Sequence, residues 1–327
     1  MCRVTDTTIG NQALVTQHED KEKSVLLALP EFDLFTAASA AEACALLSRY
    51  GENASIVAGG TDLLPKMKHR RLIARQLVNI KKIPGLDQIR YDERAGLRIG
   101  ALVTMESLKD SSVVERTCPA LGIAAGLLGT TQVRNLATLG GNLANASPSA
   151  ECAPVLLTHG ASIKCVGPGG ERVIPLESFF VSPGKTVLRP HEVLTEICVP
   201  LSPFSGNGAY LKHSLRMMDV AMVGVAVAVD LDGDVCRDVR IALGAVGPTP
   251  FRARKAEDIL RGKRFAASAA DRELLEQAGR TAAEESLPID DLRAYARYRK
   301  KIVETLVVRG LKQMIAGFVL EPGRSAP

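Results

Sequence analysis

The chain has 327 residues, 46 % hydrophobic and 24 % charged, enough to bury a large core and to divide into two units. Its net charge of +5 is scattered and only 4 % of residues are aromatic, so the basic stripe and stacking platform of a nucleic-acid binder are missing. No apolar run reaches the roughly 18 residues of a membrane span, and residues 1–24 lack the apolar core of a secretion signal, so they read as a polar leader and the compartment as cytoplasmic.

The first periodic segment, "AASAAEACALLSRYG", predicts a helix with Ser39 as N-cap, Ala43, Leu46 and Leu47 on one face, and Gly51 closing it. A short strand, "SIVA", follows and breaks off in "GGTDLLP", a loop that brings backbone close to something. "QLVNI" and "GLRIGAL" read as strands with "KKIPGLDQI" between them. A helix is expected from Thr104 to Lys109, and a buried one from Pro119 to Leu128. Then comes "ATLGGNLANASPSAE", Ala137 to Glu151, a second glycine pair with little side-chain bulk around it. Alternation in "ASIKCVGPGGERVIPL" predicts a hairpin with its tip at Gly167 to Gly170, and "TEICVPL" a further strand. "SPFSGNG", Ser202 to Gly208, collects Pro, Gly, Ser and Asn and marks a domain boundary. Beyond it, "VGVAVAVDLDGDVCRDVRIALGAV" reads as two strands joined through Asp-Gly. Pro250 fits the first turn of a helix in "PFRARKAEDILRG", and the longest helix is expected from about Leu292 to Phe318.

Seven cysteines and five histidines stand in no ligand spacing, which predicts reduced thiols, no disulfide and no metal site. A Walker A loop needs GxxxxGK(S/T), and "FFVSPGKT" has Phe179 where its first glycine must be. "GPGGER" and "GNGAYL" each lack the third glycine of a dinucleotide fingerprint. Neither common nucleotide fold is supported.

"AGGTD" and "TLGGN" share a design: a β-type approach, two glycines that permit positive φ and remove Cβ, then a short polar residue. Successive exposed amides in such turns form a nest for anionic oxygen, most often phosphate. Asn145, Ser147, Ser149 and Glu151 add polar partners suited to a ribose or adenine in an otherwise apolar cleft. Asp62 and Glu151 equally suit turn or cap positions, and that alternative stays open.

"IVAGGTDLLPKMK" and "VRNLATLGGNLANASPSAECAPVLL" resemble the two flavin-binding signatures of the FAD subunit of molybdenum hydroxylases, the family of xanthine dehydrogenase, carbon monoxide dehydrogenase and 4-hydroxybenzoyl-CoA reductase. "YLKHSLRMMDVAMVGVAVAV" resembles the segment that opens that family's C-terminal domain, and the likeness runs from about Leu27 to Phe318. The resemblance implies an α+β chain. A two-subdomain FAD-binding fold of the PCMH/vanillyl-alcohol-oxidase type over 25–203 is followed by a C-terminal antiparallel sheet with helices over 207–320. It implies that Ala58, Gly59, Gly60, Thr61 and Asp62 wrap the pyrophosphate and the flavin side of FAD. Thr138, Gly140, Gly141 and Asn142 would form the second turn, with Asn145 and Glu151 toward the ribityl and adenosine parts. Lys212 matches a lysine close to the isoalloxazine, where a cation stabilises reduced flavin, although a surface lysine on a strand is the plain alternative. Arg216, Asp219 and Val220 match positions at the flavin edge. Leu128 to Thr131 departs from relatives that carry a histidine or aromatic there, and the cysteine insertion that holds an extra cluster in the 4-hydroxybenzoyl-CoA reductase flavoprotein is absent after Leu143.

The function implied is that of an electron-transfer subunit. A molybdopterin-binding large subunit would oxidise substrate, 2Fe-2S centres of a small subunit would deliver electrons, and FAD here would pass them to an acceptor such as NAD. A stand-alone flavin oxidase of the same fold and a flavin-free scaffold or assembly protein remain the alternatives.

Overall fold

A computed structural model describes residues 28–265 and 269–320; the polar leader expected over 1–24 lies outside the described residues. The chain opens with β1 (Asp33–Thr36), α1 (Ala40–Tyr50), β2 (Ala54–Val57), α2 (Leu63–Lys68) and β3 (Gln76–Asn79). The three strands form a parallel sheet in the order β1-β3-β2, which the α1 connection makes possible by covering one face. α1 begins and ends as its sequence predicts. Ser39 accepts a hydrogen bond from the Glu42 amide, Glu42 accepts one from the Ala38 amide, and Gly51 closes the helix at φ +56°. "GGTDLLP" departs from the expected loop: after Asp62 it continues as α2, because Pro65 falls in the first turn, where no intrahelical N–H is required.

The second unit starts with β4 (Ile89–Asp92) and β5 (Gly96–Gly100). Six short helices follow: α3 (Met105–Lys109), α4 (Ser112–Thr117), α5 (Pro119–Gly126), α6 (Thr131–Arg134), α7 (Leu139–Ala144) and α8 (Cys152–Thr158). Thr104, Ser111, Thr130 and Thr138 cap α3, α4, α6 and α7, each accepting from the amide three residues on. The segment closes with β6 (Ser162–Gly167), β7 (Gly170–Pro175), β8 (Phe180–Ser182), β9 (Lys185–Thr186) and β10 (Val193–Val199). β4-β5-β10-β6-β7 form an antiparallel sheet, with Gly167 opposite Gly170 at the expected hairpin tip. Its apolar face packs on α3, α5 and α8 around Leu97, Ile99, Leu121, Leu156 and Phe179.

The last unit holds β11 (Ala209–His213), β12 (Val223–Asp232), β13 (Val235–Gly244), β14 (Phe251–Arg252), α9 (Arg254–Leu260), α10 (Ala269–Glu285) and α11 (Ala296–Leu320). Its four strands pair antiparallel in chain order. The period of two assigns the faces: Val225, Val227, Val229, Ile241 and Leu243 join the core under α10 and α11, while Tyr210, Ala226 and Ala242 join the core that contains α8. Small alanines on that second face let α8 lie close to the sheet. Pro250 does not open a helix, because Phe251 and Arg252 pair with β13 before α9 begins. The β12–β13 loop is Gly233-Asp234, one residue later than the Asp-Gly expected, with Gly233 at φ +60°. α11 starts at Ala296 rather than near Leu292, since Asp291 accepts from the Arg293 and Ala294 amides and holds that stretch as a turn. No helix among the described residues is long and apolar enough to cross a membrane.

Candidate functional site

Ala58 to Asp62 leave β2 as a tight turn in which Gly60 alone takes a left-handed conformation, φ +75°. The amides of Gly59, Gly60, Thr61 and Asp62 have no protein acceptor among the described residues, which makes the turn a nest open to an anionic oxygen. Gly59 is glycine for a different reason. A Cβ there would stand 2.0 Å from the Leu136 carbonyl oxygen and 2.8 Å from its carbon, so the turn presses directly on the backbone that leads into Thr138.

"TLGGN" folds differently from the expected turn. Gly140 and Gly141 lie in the first turn of α7 and neither has positive φ. Their amides are already used, Gly140 donating to Ala101 O at 2.9 Å and Gly141 to Thr138 Oγ1 at 3.1 Å, so this motif is no nest. What the glycines supply is clearance. A Cβ on Gly140 would meet Ala101 O and Cβ at 2.7 Å, and one on Gly141 would meet only Thr138 Oγ1 at 2.8 Å and otherwise project into open space.

That space is a cleft of about 910 Å³ between the two N-terminal sheets, at the upper end of sizes typical for ligand sites. Ala58 to Asp62, Thr138, Gly140, Gly141, Asn142, Asn145 and Glu151 all line it, as do Ser147 and Ser149. Asp219 and Val220 reach it from the C-terminal unit, whereas Arg216 is exposed and outside it. Leu47, Ala54, Ile56 and Ile80, which pack in one cluster, make part of the lining apolar. Asn142 Oδ1 is buried at the lining without a hydrogen-bond partner, an acceptor that a ligand can satisfy. Asp62 and Glu151 occupy the N-cap positions of α2 and α8, yet neither side chain caps its helix.

Lys212 does not line the cleft. It lies behind Glu151, its Nζ 2.9 Å from Glu151 Oε1 and 2.9 Å from Leu127 O, with the two side chains 3 % and 7 % exposed. Burial pushes the Glu151 carboxyl above its usual range, and the Lys212 ammonium pulls it back.

Three charged lining residues escaped the sequence reading. Lys66 spans the cleft to Asn145 Oδ1 at 2.5 Å, and Arg71 lies in the bend after α2. Lys66 sits on a helix that the glycine-proline composition concealed. Glu192 is gripped by Arg172 through Nε and Nη2, both at 2.7 Å, and by the Arg189 amide at 2.8 Å; the Arg172 bonds hold its carboxyl below the usual carboxylate range. No local signal in the sequence announces a contact between residues twenty apart.

The wall at Leu128 and Gly129 is pinned by Arg134 of α6. Its guanidinium donates to Leu128 O at 3.3 Å, Gly129 O at 3.2 Å, Thr131 Oγ1 at 2.9 Å and Glu106 Oε2 at 2.6 Å. Arg134→Met leaves both carbonyls without these donors, so it should cost about 1–3 kcal/mol of stability and weaken ligand retention on the order of tenfold. Thermal denaturation and a flavin titration check the two effects.

Among the described residues, the six cysteines are buried and unbridged, and no group of three His, Cys, Asp or Glu is placed to hold a metal ion.

The family model described as the FAD binding domain in molybdopterin dehydrogenase matches residues 30–202, and that of the CO dehydrogenase flavoprotein C-terminal domain matches 208–314. The chain is 34 % identical to the carbon monoxide dehydrogenase medium chain of Hydrogenophaga pseudoflava over 282 residues, 86 % of this chain and 96 % of that one. It is 31 % identical to a xanthine dehydrogenase FAD-binding subunit of Escherichia coli, again over 282 residues, covering 86 % and 94 %. A solved structure of carbon monoxide dehydrogenase from Hydrogenophaga pseudoflava superposes with a TM-score of 0.83 at 34 % identity, covering 88 % of this chain and 99 % of that one.

Proposed function

The chain belongs to the family of FAD-binding subunits of multi-subunit molybdenum hydroxylases, and from that premise we propose that it holds FAD in the cleft described above and passes electrons from 2Fe-2S centres of a small partner subunit to an acceptor such as NAD. In this reading a separate large subunit carries the molybdopterin and oxidises the substrate. The chain divides near 203–207 into an FAD-binding domain and a C-terminal domain that closes one side of the cleft.

The observation that carries the reading is the run of four unengaged amides at Gly59 to Asp62, facing a cleft that a second glycine motif keeps clear. The residues fit the cofactor. The amide nest takes the pyrophosphate, Gly141 leaves room beside it, Gly140 lets α7 pack on Ala101, and Lys66 adds a cation to that stretch. Asn142, Asn145, Ser147 and Glu151 offer polar atoms to the hydroxyl-bearing chain, and the apolar part of the lining suits a flat ring. When bound, FAD supplies the change from one-electron to two-electron transfer. The residues bind, orient and shield; none of them is placed as a general acid or base. Met217, 82 % exposed, stands beside Met218 and Val220 at the cleft mouth, an apolar rim of the kind that partners cover.

The test uses the FAD-loaded chain alone under anaerobic conditions. Dithionite should bleach the flavin, and a reduced nicotinamide should drive reduction of an artificial dye. Purines, aldehydes, aromatic acids and aromatic thioesters should leave the flavin oxidised. Turnover of any of them by this single chain would overturn the subunit reading.

A further inference from the structure

Lys212 and Tyr210 lie on the same face of β11, the face turned toward α8 and the cleft, while Leu211 between them faces α11. The Lys212 ammonium is therefore delivered by the C-terminal sheet into a buried spot between two N-terminal pieces. One is Glu151 at the start of α8. The other is Leu127 O at the end of α5, the residue that leads into the pinned wall at Leu128 and Gly129. Glu151 lines the cleft and Lys212 does not.

We propose that Lys212 is a positioning residue: it fixes the Glu151 carboxylate and the Leu127 carbonyl at the cleft rather than touching the cofactor, so the C-terminal sheet governs FAD retention through this contact. The inference rests on the reading of the cleft as the FAD site and adds the route by which the C-terminal sheet acts on it. The groups that face Glu151 make the case for a single counter-charge. Asp62 from the turn after β2 is another acid, Tyr210 from β11 and the neighbouring Cys152 thiol are buried, and burial pushes both of them up, away from ionisation. Among these groups Lys212 is the one cation, and it engages Glu151 through one oxygen, Oε1, leaving Oε2 for a ligand hydroxyl. Removing the ammonium leaves a buried carboxyl with no opposite charge, which then takes up a proton near neutral pH and ceases to accept.

The experiment measures FAD affinity of the flavin-free full chain by flavin fluorescence between about pH 6.5 and 8.5. The wild type should vary less than about twofold across that range, and Glu151→Gln should bind FAD on the order of tenfold more weakly, without the recovery toward the alkaline end that marks a titrating Glu151. Lys212→Met should bind weakly at the acid end and recover toward the alkaline end as Glu151 ionises. The double variant Glu151→Gln with Lys212→Met buries no charge, so it folds even where Lys212→Met does not. It should be flat with pH and within about threefold of Glu151→Gln alone. A double variant that loses the product of the two single effects, or a Lys212→Met profile flat with pH, would show that Lys212 acts on the cofactor independently and overturn the inference. A Glu151→Gln chain that binds FAD like the wild type would remove Glu151 from the site and overturn the inference together with the placement of FAD beside it.

Discussion

Gly59→Ala should cost the chain its FAD and on the order of 3 kcal/mol of stability. The added Cβ would sit 2.0 Å from Leu136 O and 3.1 Å from Ala137 Cα, so both obstacles are backbone and neither can rotate away. Relief requires the turn after β2 to separate from the approach to α7, and the cleft is built on that contact. Apparent melting temperature should fall by roughly 6–12 °C, and the purified variant should be colourless. Gly60→Ala tests a different cause. Its Cβ meets only the flexible end of Leu64 and Val57, so the cost is the left-handed backbone, about 1–2 kcal/mol. A smaller destabilisation at Gly60 than at Gly59 is therefore expected in the same melts.

Gly141→Val separates cofactor from fold. The valine would brush Thr138 Oγ1 at 2.8 Å and then extend into the cleft, where no further atom, beyond those of its chain neighbours and the backbone of α7 itself, stands within 4 Å of the new Cβ. Losing the Thr138 cap on α7 costs about 1 kcal/mol, which leaves the chain folded. The branched side chain, however, fills the space beside the amide nest that the proposed placement gives to the cofactor. FAD affinity should drop at least a hundredfold, or roughly 2.7 kcal/mol.

The parts of the fold that were legible in the sequence are those with a cap or a period to read. Ser39 and Gly51 bracket α1, and the alternation on either side of Gly167 to Gly170 gives the β6–β7 hairpin. α6, four residues long, and α7, six, make barely a turn or two, too short for apolar periodicity to register. Their Thr130 and Thr138 caps were the signal present. Pro65 and the two glycines before it concealed α2, and with it Lys66. In the site, eleven of the twelve residues expected at the cofactor line one cleft. The two glycine motifs match in composition and differ in physics: "AGGTD" presents free amides, whereas "TLGGN" spends its amides on Ala101 and Thr138 and contributes bare surface at Gly141. Composition cannot separate those roles, since both require glycine. Nor can it show that Lys212 stops at Glu151, sixty-one residues away, because a buried ion pair between a strand of one sheet and a helix of another leaves no local trace.

An equilibrium titration of the flavin-free chain with FAD, run for the wild type and Gly141→Val side by side with their thermal melts, tests the placement of FAD in this cleft most directly. Saturation is expected at one FAD per wild-type chain and none at the same concentrations for Gly141→Val, with the two apo proteins melting within a few degrees of each other. A folded Gly141→Val chain that binds FAD as tightly as the wild type would contradict that placement, because the cofactor would then lie somewhere other than this cleft.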